Sequence, residues 1–361
     1  MIFTKCQESA MMLPSNPGTH QILTKSGGSR AMSRNVLITN PTLHPNAKKT
    51  LEELGFSVFI ASDPSEDALI AQINEHQIVG MFVRIEKITG KIFDSCPSLR
   101  IVVENGIGVD NIDVAAATRN GVQVANLSLG ALAVAEHTMA FLLALGRDLR
   151  RNDITTRAGQ WLSFNQPSFN SVPIMGSKLL IVGTGNIGRQ VAKRAAGMGM
   201  ELLGFDPYLS RERMAEAGIR KVETLEEGLA EADFVTVHMP LTDQTRGMFS
   251  TQQFAQMKDS AFFVNVGRGP IVDEKALYEA LKNHEIAGAA LDVFEQEPTP
   301  ADNPLFTLDN ILFSAHVAGT HKTLMADQAI LGAQSIAEAI DRQGLYALNV
   351  VNERQLQAQK P

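Results

Sequence analysis

Residues 178–208 read KLLIVGTGNIGRQVAKRAAGMGMELLGFDPY, and this stretch decides the fold. Its apolar run Leu179-Leu180-Ile181-Val182 has the length and composition of a buried strand. A glycine-rich turn from Gly183 to Gly188 comes next, then helical periodicity from Arg189 to Met198, with Ile187, Val191, Ala195 and Met198 on one face. A second strand-like run, Leu202 to Phe205, ends on Asp206. Each part suits the holding of a dinucleotide. Gly183 permits the sharp turn, Gly185 lets the backbone approach a pyrophosphate, and Gly188 lets the helix pack close to the strand. The free N–H groups and positive dipole of the helix start face the phosphates. Asp206, near the roughly 20-residue spacing of this fingerprint, can accept hydrogen bonds from the adenosine ribose and repel a 2′-phosphate. Arg211 and Arg213 are the nearby cations that could still admit one. The reading is NAD(H).

Composition sets bounds around that unit. The chain has 361 residues, 44% hydrophobic and 20% charged, enough for two domains with separate cores. Its net charge of −7 argues against a nucleic-acid or anionic-membrane partner. Two cysteines, Cys6 and Cys96, supply neither a disulfide framework nor a zinc site, so no metal and a reducing, cytoplasmic setting are expected. No apolar run is expected to span a membrane; the richest, Ala133–Gly146, is interrupted by Glu136 and His137. Residues 1–33, rich in Ser, Gly, Pro, Lys and Arg, read as a disordered extension, with Met32 before SRNVLITN as a natural start.

From Asn35 onward short apolar runs alternate with helical stretches, the pattern of parallel sheets covered on both faces. The spacing predicts strands at Val36–Ile38, Val58–Ile60, Ile78–Val83, Leu99–Val103 and Val122–Ala125, with helices at Pro45–Leu54 and Ser65–Glu75. It predicts one long helix over Ala131–Leu149, buried between domains, and a loop over Ser163–Pro173. Beyond Asp206, strands are expected at Phe234–His238, Ala261–Val266, Ile286–Asp292 and Asn310–Phe313, then a final helix over His321–Arg342 with Thr320 as N-cap. Ligands of such sheets bind beyond the carboxyl ends of the strands, where His238, Asn265, Asp292 and His316 stand.

A nicotinamide-dependent oxidoreductase needs a cation for its substrate, a proton shuttle and a group that tunes the shuttle. Arg268, between Gly267 and Gly269, offers a planar fork matched to the carboxylate and carbonyl of a 2-oxo acid; a salt bridge to Asp273 is the plainer alternative. His316, in SAHVAG, is the candidate proton donor and acceptor, and His238 is a second one. Either Glu297 or Glu295, both in DVFEQEP, could pair with His316. Glu136 and His137 read as a polar pair at a domain boundary.

With these motifs the chain resembles the D-isomer-specific 2-hydroxyacid dehydrogenases, from about Val36 to Val351. The shared signatures are GIGVDNID at 106–113, VAEHTMAFLLAL at 134–145, GTGNIG at 183–188, HMPLTDQT at 238–245, NVGRGPIVDE at 265–274, DVFEQEP at 292–298 and AHVAG at 315–319. The resemblance implies a Rossmann NAD-binding domain (130–316) inserted into a flavodoxin-like substrate domain (34–129 and 317–361). It implies a catalytic trio of Arg268, Glu297 and His316, choosing Glu297 because the family's acid precedes the proline. The cofactor residues it implies are Gly183, Gly185, Asn186, Ile187, Gly188, Asp206, His238, Pro240, Thr245, Val266, Gly267 and Asp292, the last beside the nicotinamide carboxamide. Substrate would meet Arg84 and the loop Asn105, Gly106, Ile107 and Gly108.

The implied activity is reversible hydride exchange between NAD(H) and a small 2-oxo or D-2-hydroxy acid, in a homodimer joined through the Ala131–Leu149 helix. The chain departs from its relatives at Glu104 before the glycine loop, at Ile85-Glu86 after Arg84, in NLSLGALAVAEH, and at Ala315. An acid at Glu104 near the mouth would disfavour a phosphorylated substrate, which favours glyoxylate or hydroxypyruvate over the 3-phosphoglycerate couple. The alternative is an NAD(H)-binding interaction protein like the C-terminal-binding-protein corepressors, which share the fold.

Overall fold

The computed structural model describes residues 33–161, 171–341 and 350–358. The extension expected over 1–33 (Ser33 apart) and most of the Ser163–Pro173 loop lie outside these residues.

Strands β1 (Asn35–Ile38), β2 (Ser57–Ile60), β3 (Ile78–Val83), β4 (Ile101–Glu104) and β5 (Gln123–Asn126) form a parallel sheet in the order β2-β1-β3-β4-β5. Strands β3 and β4 are buried along their whole length, which is why they read as unbroken apolar runs rather than alternating ones. One face is covered by the helices Asn46–Glu53 and Lys322–Asp341, whose Leu51, Ala333, Ile336 and Ile340 pack on Val36, Phe82 and Ile101. The last helix comes so close that a Cβ on Gly332 would lie 2.2 Å from Phe82 Cζ. Its start differs from expectation. Thr320 Oγ1 donates to the Val317 carbonyl, and His321 Nδ1 accepts the Leu324 N–H at 3.2 Å instead. The chain then returns to this sheet, where the buried Asn352 donates to Thr118 Oγ1 and Val122 O and accepts from Val124 N.

The second sheet contains β6 (Lys178–Val182), β7 (Glu201–Phe205), β8 (Arg220–Lys221), β9 (Phe234–Val237), β10 (Phe262–Asn265), β11 (Gly288–Leu291) and β12 (Ile311–Phe313), in the order β12-β11-β10-β9-β6-β7-β8, all parallel. The chain winds outward from β6 to β8, then crosses to β9 on the other side. The crevice between β6 and β9 is therefore the topological switch point, where doubly wound sheets take ligands.

The helix expected over Ala131–Leu149 is shorter and sits elsewhere than predicted. It spans Ala131–Gly146 and covers the second sheet, with Ala135, Leu142 and Leu145 against Ile181, Val191 and Val264. It stops because the Arg147 and Asp148 N–H groups close on the Leu143 and Leu145 carbonyls. Asp148 then takes φ +49°, a left-handed conformation that a short polar side chain tolerates, and a separate helix runs Leu149–Arg157. Contrary to the sequence expectation, Ser128–Gly146 is long and apolar enough to cross a membrane by length and composition alone; Ala135, Met139, Leu142 and Leu145 are buried in the core of the second sheet, while Leu129 and Leu132 are exposed. Met198, placed on the buried face from periodicity, caps the helix Asn186–Gly197 and is exposed.

Candidate active site

The glycine turn after β6 has the shape its sequence requires. Gly183 has φ +92°, and a Cβ there would lie 2.9 Å from the His238 carbonyl carbon. A Cβ on Gly188 would lie 2.2 Å from Gly183 O, so the helix Asn186–Gly197 meets the strand only through glycine. Gly185, by contrast, has open space where its Cβ would be, which leaves the helix start accessible to a diphosphate. Asp206 closes the turn by accepting the Thr184 and Tyr208 N–H groups, each at 3.0 Å. Arg211 and Arg213 sit in exposed ion pairs with Glu223 and Glu216. These residues fit NAD.

The loop after β9 contributes differently from expectation. His238 Nε2 is 3.1 Å from Thr236 Oγ1, while Nδ1 is shut off from solvent without a partner. Burial pushes its pKa down to about 3, so the ring is neutral and cannot be the acid once considered for it. Thr245 is buried and donates to the Pro240 carbonyl at 2.7 Å, bracing the loop. Val266 is buried; the Gly267 N–H donates to Asn265 Oδ1 at 3.0 Å.

Loops after β10, β11 and β12 bring the proposed trio to one edge. His316 Nδ1 and Glu297 Oε2 are 2.6 Å apart. Burial alone would raise the Glu297 pKa, but hydrogen bonds from His316 and the Phe294 N–H, with the charges of His316 and Arg268, outweigh it and hold the carboxyl below its usual value. Glu295 is excluded as the partner because it accepts the Glu274 N–H at 3.0 Å. His316 has φ +52°, an uncommon conformation for its type, held by its N–H on Asp292 O at 2.7 Å. Asp292 is buried, with its carboxylate taken up by the Val317 and Ala318 N–H groups and by Ser314 Oγ, which His137 Nε2 meets at 2.9 Å. The residue expected beside the nicotinamide thus shapes the His316 loop.

Arg268 does not pair with Asp273, which caps the helix Glu274–Lys282. Its Nε donates to Asp110 Oδ1 at 2.9 Å and its Nη1 to Gly267 O at 2.8 Å. Its Nη2 presses on the substrate loop: a Cβ on Gly108 would lie 1.5 Å away. A Cβ on Gly269 would strike Phe294 O at 1.8 Å, so glycine is required for this approach. The glycine loop itself is tied down by Asn105 N on Val83 O, Leu127 N on Gly106 O and Asn126 Nδ2 on Ile107 O.

Beneath that loop lie two acids of opposite behaviour. Glu104 is 2% exposed, and its Oε2 accepts Asn111 Nδ2 at 2.9 Å. Burial, and secondarily the charges of Glu86 and Asp110, push its pKa well above the usual range. Burial would raise Glu86 too, but there the hydrogen bonds of Thr39, Asn40 and the Arg84 backbone outweigh it and keep it ionised. Burial thus favours the neutral form of Glu104. This weakens the charge argument against a phosphorylated substrate. Half-buried Arg84 stands with Glu86 in the loop after β3, and its guanidinium has no protein partner among the described residues.

The family model for the D-isomer specific 2-hydroxyacid dehydrogenase, NAD binding domain, matches residues 139–318. A glyoxylate reductase of Korarchaeum cryptofilum is 36% identical over 301 residues, covering 82% of this chain and 89% of that protein. The chain belongs to the D-isomer specific 2-hydroxyacid dehydrogenases. The second sheet is the NAD-binding domain of this family member. A D-3-phosphoglycerate dehydrogenase of Methanocaldococcus jannaschii is 39% identical over 319 residues, 88% of this chain; the chain spans 59% of that protein's length. Among solved structures, an NADPH-dependent glyoxylate/hydroxypyruvate reductase of Sinorhizobium meliloti, in complex with NADP and malonate, superposes with a TM-score of 0.79 at 27% identity, covering 89% of this chain and 98% of that one.

No role follows from the sequence for Asp110, and the links of Glu86 to Thr39 and Asn40 and of His137 through Ser314 to Asp292 appear only in the fold. GIGVDNID contained the first of these, but its partner lies far away in sequence, beyond the reach of any local pattern.

Proposed function

We propose that this dehydrogenase-family member interconverts a small 2-oxo acid and its D-2-hydroxy acid, with Arg268, Glu297 and His316 as the catalytic residues. The 2.6 Å His316–Glu297 pair, set at the strand ends beside Arg268, carries this reading. When bound, the nicotinamide supplies or takes up the hydride. Gly183, Gly185, Asn186, Ile187 and Gly188 would hold its diphosphate and Asp206 its ribose, and the Asp206 carboxylate favours NAD over NADP.

In reduction, Arg268 binds the substrate carboxylate and polarises the carbonyl. His316 gives a proton to the developing alkoxide and Glu297 stabilises the imidazolium. In oxidation His316 takes that proton back. N–H groups of Gly106, Ile107 and Gly108 complete the carboxylate site; that of Asn105 is taken by the Val83 carbonyl.

Glyoxylate and hydroxypyruvate are the substrates proposed. Arg84, unpartnered among the described residues, and the raised pKa of Glu104 favour 3-phosphohydroxypyruvate as a second reading. NADH oxidation measured with glyoxylate, hydroxypyruvate, 3-phosphohydroxypyruvate and pyruvate separates these. Tight NADH binding with no turnover of any would favour the corepressor-like alternative. Association as a homodimer is also proposed: the helix Leu149–Arg157 buries none of its residues, and Leu149, Ile154 and Trp161 are 53%, 52% and 89% exposed.

A further inference from the structure

Arg268 and Asp110 come from different sheets. Asp110 follows β4 in the first and Arg268 follows β10 in the second, so their contact crosses the cleft. A guanidinium on a long flexible stem loses its directional advantage unless something fixes the plane of the fork. Here two acceptors do so. Asp110 Oδ1 takes Nε at 2.9 Å and Gly267 O takes Nη1 at 2.8 Å, leaving Nη2 without a protein partner, against Gly108. Of the two anchors only Asp110 comes from the far side of the cleft, and it bonds the nitrogen nearest the stem, which sets the rotation of the whole plane. Its side chain is 42% exposed, so this is not a buried structural ion pair whose loss would unfold the domain.

We propose that Asp110 is a positioning residue: it orients Arg268 so that Nη2 and the backbone of the Gly106–Gly108 loop form one site for the substrate carboxylate. This rests on the dehydrogenase reading above. A carboxylate so close would weaken anion binding if charge were all that mattered, because it offsets the arginine. Positioning and charge therefore predict different kinetics. Losing the acceptor should lower kcat, whereas losing only the charge should leave kcat in place and, if anything, lower KM.

The test compares wild type, Asp110→Asn and Asp110→Ala as full chains, using whichever of the four 2-oxo acids the wild type turns over best. NADH affinity, read by fluorescence titration, reports the integrity of the cofactor domain in each. The expected result is a kcat lower by about tenfold or more in Asp110→Ala, the scale of one charge-assisted hydrogen bond. Asp110→Asn, which keeps an oxygen for Nε, should restore most of it, with NADH affinity unchanged in both. Equal kcat in Asp110→Ala and wild type would overturn the proposal, as would equal impairment of the two variants. A wild type that turns over none of the acids would remove the dehydrogenase reading itself and this proposal with it, an outcome distinct from the other two.

Discussion

His316 Nδ1 lies 2.6 Å from Glu297 Oε2, and the second oxygen of Glu297 accepts the Phe294 N–H at 2.9 Å. With the His316 N–H on Asp292 O, the imidazole is held from its backbone and from its ring. Nε2 is the nitrogen left for substrate. Glu297→Gln keeps the shape but not the charge that stabilises an imidazolium. We expect kcat for reduction to fall about tenfold to a hundredfold. Steady-state rates check this; a kcat equal to that of wild type would count against the pairing.

Glu104 gives a prediction about stability. Its folded pKa is raised by burial, so the stability of its neutral form is present in full below the unfolded carboxylate pKa, and is lost as pH rises through the folded value. Glu104→Gln stays neutral and can still bond Asn111. Its melting temperature should match wild type near pH 4 and exceed it by a margin that widens from about pH 5 upward. A pH-independent difference would mean that Glu104 is ionised in the fold.

Asp206 is expected to enforce the choice of NAD. Its replacement by Ser removes the carboxylate that repels a 2′-phosphate, while Arg211 and Arg213 stay engaged with Glu223 and Glu216. The NADH over NADPH ratio of kcat/KM should drop about tenfold or more, because the ribose contact and the repulsion of a 2′-phosphate are lost together. An unchanged ratio would place cofactor choice elsewhere.

Gly188→Ala tests the cradle. The new Cβ would lie 2.2 Å from a backbone oxygen, which no side-chain rotation relieves. A loss of about 1–3 kcal/mol in urea unfolding is expected, together with weaker NADH binding. Wild-type values for both would show that the helix start is less constrained than the geometry implies.

Parallel interior strands expose neither face, so IVGMFV and KLLIV could be read directly as strands, and the glycine turn could be assigned from strand, turn, helix and Asp206 together. Helix ends were harder. The break at Arg147 and Asp148 depends on a left-handed residue that no apolar pattern signals. Charge states were harder still. Glu104 reads as an anion at the mouth, yet its burial beside Glu86 raises its pKa well above the usual range, and His238 reads as a proton donor although desolvation pushes its pKa down to about 3. The Asp110–Arg268 contact follows from how the two sheets face each other, and only the folded chain contains that relation.

The central claim is that His316 and Arg268 carry out chemistry beyond holding NADH. Its most direct test is the rate of NADH oxidation with the best 2-oxo acid in wild type, His316→Ala and Arg268→Ala, with NADH affinity measured on the same samples. Turnover at least about a hundredfold lower is expected in both variants, with NADH affinity retained. Wild-type turnover in either variant would contradict it.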